Sequence, residues 1–267
     1  MKEHNMKTVF KLLIPVCIVI GAGYWLMHRS TESTPTLHEP RTLVVGTNVG
    51  YPPFIFTNES GEPIGFDVDV ATAIAHKLNK QLVIKDMAFD ALLLALTHGS
   101  VDMIIGGISL TQARKKTGLL IPYYGSTINT VALFYPKTRP HPSCTLASAA
   151  EQQLTICTQA GSMFEEILTS LPGMIVKTLP DISDIVLEVT RGTSDCGLLD
   201  TDSVRSLTTT SQDLESHIIT IPPYLRIEGF GIGIAPQNEE LRNAVITVIN
   251  DLRHEGTIAA YAEKWFN

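Results

Sequence analysis

From residue 42 onward, short apolar runs rich in β-branched residues take turns with stretches of helical spacing, and few folds accept that alternation. Residues 42–47 (TLVVGT) and 81–85 (QLVIK) read as strands, residues 65–78 and 89–96 as helices, and 103–105 as a third strand. Asp67 is the candidate N-cap of the first helix. The β-α-β-α-β order implies an α/β sheet covered by helices. In such sheets ligands meet the carboxyl ends of the strands. Asn48, Tyr51, Phe89 and residues 106–109 all fall there. Asn48 and Tyr51 belong to a loop, because Pro52 and Pro53 lack the N–H groups that a ladder needs.

The third strand leads into the most informative stretch, residues 102–114 (DMIIGGISLTQAR). A glycine turn follows the strand, and Thr111 is placed to cap the helix after it. Gly106 and Gly107 let a ligand reach backbone N–H groups that a Cβ would screen. Ser109 adds a hydroxyl, and Arg114 follows Thr111 by about one helical turn. This set can offer backbone donors, a hydroxyl and a guanidinium fork to one small anion. A carboxylate fits that fork in two parallel hydrogen bonds. Taken alone, a glycine pair most often only ends a strand, so the meaning of the stretch depends on its surroundings.

The chain has 267 residues, enough for one large or two small domains, and 44% hydrophobic against 18% charged residues gives it a core to bury. The net charge of −7 becomes −10 once residues 1–29 are set aside, since these hold four basic residues against Glu3. An acidic body argues against nucleic acid as a partner. Lys2, Lys7 and Lys11 precede an apolar run over residues 12–27, the order of an export signal, and Gly21, Ala22 and Gly23 offer small residues to a peptidase. An uncleaved anchor is the alternative, although the run falls short of the roughly 20 apolar residues of a spanning helix. Either carries the body across a membrane. Residues 30–40 (STESTPTLHEP) read as a polar linker.

The second half repeats the pattern. Residues 130–135 (TVALFY) form an apolar strand, and residues 229–234 (GFGIGI) are its expected partner on the return; two such crossing strands make a hinge. Between them, 154–157 is a strand, and Ser162 and Glu165 have capping-box spacing at the start of a helix. A helix start presents free N–H groups to a carboxylate, although most capping boxes only stabilise their helix. Asp200 ends the strand at 195–200, where an Asp is most often a helix cap, a role for which Asp202 competes. Residues 239–253 are helical, with Leu241, Val245, Val248 and Leu252 on one face, and the closing helix carries Trp265 and Phe266 as packing residues.

Residues 43–46, Tyr51-Pro52-Pro53-Phe54, Gly65-Phe66-Asp67-Val68-Asp69, Ala88-Phe89-Asp90 and the Ser109, Thr111, Arg114 spacing occur in an order that resembles the polar amino-acid-binding proteins of bacterial ABC importers, solute-binding protein family 3. The look is nearest to the arginine-binding proteins, and the similarity runs from about residue 41 to 267. The resemblance implies a periplasmic, two-lobed α/β fold of type II with two crossing hinge strands. Lobe 1 would hold residues 41–131 and 229–267, and lobe 2 residues 132–228, behind a signal peptide or anchor (1–29) and a linker (30–40). It implies a monomer that closes on L-arginine or another polar L-amino acid and hands it to importer membrane subunits. Arg114 would grip the ligand carboxylate with the Gly107 amide and Ser109, beside Gly106. Tyr51 and Phe89 would wall the ligand side chain. The turn at Ser162 and Met163 would meet the carboxylate from lobe 2, with Met163 replacing a hydroxyl residue of relatives. Gln159 would line the pocket, and Asp200 would pair with the α-ammonium. Asn48 stands where related binders of basic amino acids often carry a carboxylate, which weakens the case for a cationic ligand; either a carboxylate from elsewhere, Glu165 or Glu59, compensates, or Asn48 specifies a neutral amino acid.

Cys144, Cys157 and Cys196 allow at most one internal disulfide, and Cys157 and Cys196 fall on strands that could be neighbours; buried free thiols are the alternative. No C-x-x-C or H-E-x-x-H spacing points to a metal, and no cofactor is expected. His141 lies near Cys144 without an orienting partner. Two rival readings use the same fold: an amino-acid-sensing receptor lobe, and a dehydratase of a cyclic acid, for which no acid or base beyond Asp200 stands out.

Overall fold

A computed structural model describes residues 42–125, 127–138, 145–235 and 237–266. The expected signal, linker, Cys144 and His141 lie outside the described residues. In chain order, the first lobe holds β1 (Thr42–Thr47), β2 (Phe56–Thr57), β3 (Pro63–Ile64), α1 (Phe66–Lys77), β4 (Gln81–Asp86), α2 (Leu92–Thr97), β5 (Met103–Ile104), α3 (Gln112–Lys116) and β6 (Leu120–Tyr124). The second holds β7 (Thr130–Pro136), α4 (Leu146–Glu151), β8 (Thr155–Gln159), α5 (Met163–Ser170), β9 (Ile175–Leu179), α6 (Ile182–Arg191), β10 (Cys196–Leu199), α7 (Thr201–Thr210) and β11 (Leu214–Thr220). The chain then returns to the first lobe through β12 (Phe230–Ile234), α8 (Glu239–His254) and α9 (Thr257–Phe266).

Each lobe is built on one five-stranded sheet, in the order β4-β1-β5-β12-β6 and β11-β7-β10-β8-β9. β1 runs parallel to β4 and β5, and β12 lies antiparallel to β5 and β6. In the second sheet β10, β8 and β9 are parallel, while β7 is antiparallel to β10 and β11. Apart from β4, a partly exposed edge strand, the apolar runs read from the sequence are therefore the buried centres of both sheets, with Leu43, Ile104, Ile156 and Leu198 fully enclosed. The predicted apolar face of α8 is buried at Leu241, Val245, Val248 and Leu252.

One expected pairing is corrected. β7 and β12 do not pair with each other; each lies wholly inside its own lobe's sheet. The crossing is made by the segments just before them, where Ile128 and Ile227 form an antiparallel bridge with N···O distances of 2.7 and 3.2 Å. The sequence pattern favoured the longer apolar runs, but those runs bury both faces in a sheet, whereas the connection needs only one short bridge.

Phe266 packs its ring 5.1 Å from Phe54, 5.2 Å from Phe66 and 5.2 Å from Tyr124, and the Trp265 indole N–H donates to Asp69 at 2.7 Å. The last helix thus locks onto α1, as packing rather than as a site.

Candidate functional site

The carboxyl ends of both sheets face one cleft, and the side chains there meet across it. Thr111 caps α3, its hydroxyl accepting from the Arg114 N–H at 3.3 Å. That cap fixes the first turn of the helix and turns Arg114 inward, where only 7% of it is exposed. Arg114 donates to the Ser109 carbonyl at 3.1 Å and, across the cleft, to the Gly161 carbonyl at 2.7 Å. Its guanidinium carbon lies 5.7 Å from the centre of the Phe89 ring. Burial pulls the guanidinium below its usual pKa, with Glu166 acting in the opposite sense. Ser109 is buried and its backbone bridges to Phe230.

The second lobe supplies the opposite charge. Asp200 caps α7, one carboxylate oxygen accepting from the N–H groups of Asp202 at 3.0 Å and Ser203 at 2.8 Å. Its other oxygen accepts from the Tyr51 hydroxyl of the first lobe. Asp200 is therefore both the helix cap and a cleft residue, while Asp202 pairs with Arg205 at 3.1 Å. Burial raises the pKa of both Asp200 and Tyr51, and the proton stays on the phenol. Tyr51 is 7% exposed and stacks on Phe54 at 5.1 Å.

Two expectations about the glycine turn and its surroundings are corrected. The Gly107 N–H donates to the Asp67 carboxylate at 2.8 Å, so this amide is engaged within the first lobe. Gly107 has φ +60°, and a Cβ there would stand 2.4 Å from the Tyr51 ring; beside it, a Cβ on Gly106 would stand 2.9 Å from the Thr47 hydroxyl. The missing side chains thus make room for Tyr51 and Thr47. Asp67 is no N-cap: Gly65 holds that position, and Asp67 sits inside α1, fully buried, accepting from Gly107 and from the Tyr123 hydroxyl. Burial raises its pKa to about 7.

Ser162 caps α5, accepting from the Glu165 N–H at 3.4 Å, but the reciprocal half of a capping box is displaced by one residue. Glu165 accepts from the Gly161 N–H at 2.7 Å and so is engaged at its own helix start. Met163 and Ser162 are buried. Glu59 is exposed in the turn organised by Asn58. Among the described residues neither glutamate is hydrogen-bonded to Asn48.

A different carboxylate is. Asn48, 6% exposed, donates through its amide to the Met87 carbonyl at 3.1 Å and to Asp181 Oδ1 at 3.0 Å. Its oxygen accepts from Gln159 at 2.7 Å, and Gln159 also donates to the Pro180 carbonyl at 3.1 Å. Asp181 was not singled out from the sequence. An Asp between Pro180 and an amphipathic helix looks like an ordinary N-cap, and only the fold brings it to a residue 133 positions earlier. Cys157 and Cys196 lie on neighbouring parallel strands as free, buried thiols, raised by burial to about 11 and about 12.

The cleft therefore brings together the buried guanidinium of Arg114 and the buried carboxylate of Asp200, with an amide–carboxylate cluster at Asn48, Gln159 and Asp181. Comparison with known proteins places the chain among others of similar sequence and fold. The family model of bacterial extracellular solute-binding proteins, family 3, matches residues 43–267. A Chlamydia trachomatis protein named "Probable ABC transporter arginine-binding protein ArtJ" is 32% identical over 223 residues, covering 84% of this chain and 85% of that protein. A solved variant of the arginine-binding protein from T. maritima superposes with a TM-score of 0.76 at 29% identity, over 85% of this chain and 95% of that one. An ancestral arginine-binding protein bound to glutamine superposes with a TM-score of 0.77 at 28% identity, over 86% of this chain and 99% of that one.

Proposed function

The chain belongs to the bacterial extracellular solute-binding proteins, family 3, and we propose that within it this protein captures an L-amino acid, arginine before others, outside the cytoplasm and delivers it to the membrane subunits of an ABC importer. It acts as a monomer whose lobes, residues 41–131 with 229–267 and residues 132–228, close on the ligand. The carrying observation is the placement of opposite charges on opposite lobes of one cleft: Arg114 from α3 and Asp200 at the start of α7, each less than a tenth exposed. An α-amino acid is a zwitterion. Arg114 takes its carboxylate, with Ser109 and the Ser162–Met163 turn beside it, and Asp200 takes its ammonium. The side chain then runs between Tyr51 and Phe89 toward Asn48 and Gln159. Each charge-assisted bond contributes about 1.5–3 kcal/mol. Because the two charges belong to different lobes, binding and closure form one equilibrium.

Calorimetric titration of the full chain, unfolded and refolded to strip carried ligand, against the twenty L-amino acids tests the reading. Arginine is expected to bind, and Arg114→Ala is expected to weaken it by at least about tenfold, the share of one charge-assisted bond. An Arg114→Ala protein that binds arginine undiminished would overturn the assignment.

A further inference from the structure

We propose that Asp181 reads the positive charge of the ligand side chain, so that selection for a cationic amino acid comes from the second lobe. This rests on the amino-acid-binding reading above and names the group within that site which sets its class of ligand.

Asp181 occupies the N-cap position of α6, with φ −119° and ψ 147°, yet its side chain makes no cap hydrogen bond. An Asp at that position ordinarily caps, and doing so stabilises a helix by about 1 kcal/mol. Here the carboxylate leaves its own helix and reaches across the cleft to Asn48 in the first lobe, at 3.0 Å. Among the described residues its second oxygen has no hydrogen-bond partner. The cluster it joins is short of donors and rich in acceptors. Both N–H bonds of the Asn48 amide are used, on Met87 and Asp181, and both of the Gln159 amide, on Asn48 and Pro180. What remains to face a ligand is the free oxygen of Asp181 and the amide oxygens. A guanidinium, a planar fork of donors with no acceptor, complements that arrangement; a neutral amide does so poorly.

The position also has a consequence for closure. Asn48 and Asp181 lie on different lobes, so the carboxylate meets a ligand held in the first lobe only when the lobes come together. Charge selection is then expressed in the closing step and not in the first encounter.

The test compares L-arginine with L-citrulline, its neutral isostere, by calorimetry on the full chain carrying Asp181→Asn, with Asp181→Glu as the charge-keeping control. The ratio of arginine to citrulline affinity is expected to fall about ten- to a hundredfold in Asp181→Asn, the range of a single charge-assisted bond. It is expected to recover in part in Asp181→Glu. A ratio that stays at the wild-type value overturns the proposal, as does a proportionate loss of both ligands, which would make Asp181 a residue that only positions Asn48. A wild-type protein that binds citrulline or glutamine as tightly as arginine overturns it too, while leaving the amino-acid-binding reading intact. A wild-type protein that binds no amino acid overturns both.

Discussion

At the scale of single residues, the cleft depends on groups whose function lies in what they let others do. Gly107 at φ +60° gives Tyr51 its place, and Tyr51 in turn reaches Asp200. Gly107→Ala is expected to destabilise the protein by about 1–3 kcal/mol through overpacking against the ring, read in urea unfolding; an unchanged midpoint would show that Tyr51 does not need the space. Asp67 is a second such residue. Its folded pKa of about 7 lies above the value of about 3.9 in an unfolded chain, because burial disfavours its charge. The folded state therefore holds this proton over a range in which the unfolded state has lost it. The stability it contributes is complete below about pH 4 and declines as pH rises toward 7, by on the order of 3 kcal/mol between pH 4.5 and 7.5. Unfolding curves at those two pH values should show the decline in the wild type and a smaller one in Asp67→Asn; equal slopes would refute the shifted carboxyl. The sequence could not announce this role. Asp67 two residues into a helix looks like a cap, and only the partners Gly107 and Tyr123, 40 and 56 residues away, reveal a buried acceptor.

At the scale of elements, the local rules of helix termination were legible, and they shape the cleft. Thr111 and Ser162 were readable as caps from spacing alone, and both turn a helix start toward the cleft. Asp200 combines the two possibilities that its sequence left open, being cap and cleft acid at once. The roles are separable. Asp200→Asn keeps an amide oxygen to cap α7, and its NH2 then faces the Tyr51 oxygen, which accepts from it in place of donating, so its melting temperature is expected to stay near the wild-type value. Asp200→Ala loses the cap, about 1 kcal/mol, and leaves a buried phenol unpartnered, a further cost of about 1–3 kcal/mol. Both variants are expected to bind an amino acid at least about tenfold more weakly, since neither carries the charge proposed to meet the ammonium. Full binding by Asp200→Asn would reduce Asp200 to a cap. Asp181 shows the limit of such rules. A residue with the sequence signature of a cap is here directed elsewhere, and propensity cannot foresee a partner supplied by the other sheet.

At the scale of the whole molecule, the alternation of strands and helices was enough to expect two α/β lobes, because buried parallel strands need continuous apolar runs and those are visible. The joint between the lobes differs from the expected strand pair, because among the described residues it rests on the short Ile128–Ile227 bridge and on two glycines that approach closely. Gly125 has φ +86° and Gly229 φ +88°; a Cβ on Gly125 would stand 3.2 Å from the Gly229 Cα, and one on Gly229 would stand 2.5 Å from the Tyr124 carbonyl oxygen. Neither glycine lies among the cleft residues, so a change there acts on ligand binding only through closure. Every ligand that needs the closed form must bear that change alike. Gly125→Ala is therefore expected to alter the affinities for arginine and citrulline by one common factor, leaving their ratio untouched, where Asp181→Asn alters the ratio. Small-angle scattering on the same variant should show the radius of gyration shifted before ligand is added. A changed ratio would mean that the joint shapes the cleft itself, and closure and recognition could then no longer be treated as separable steps of one equilibrium.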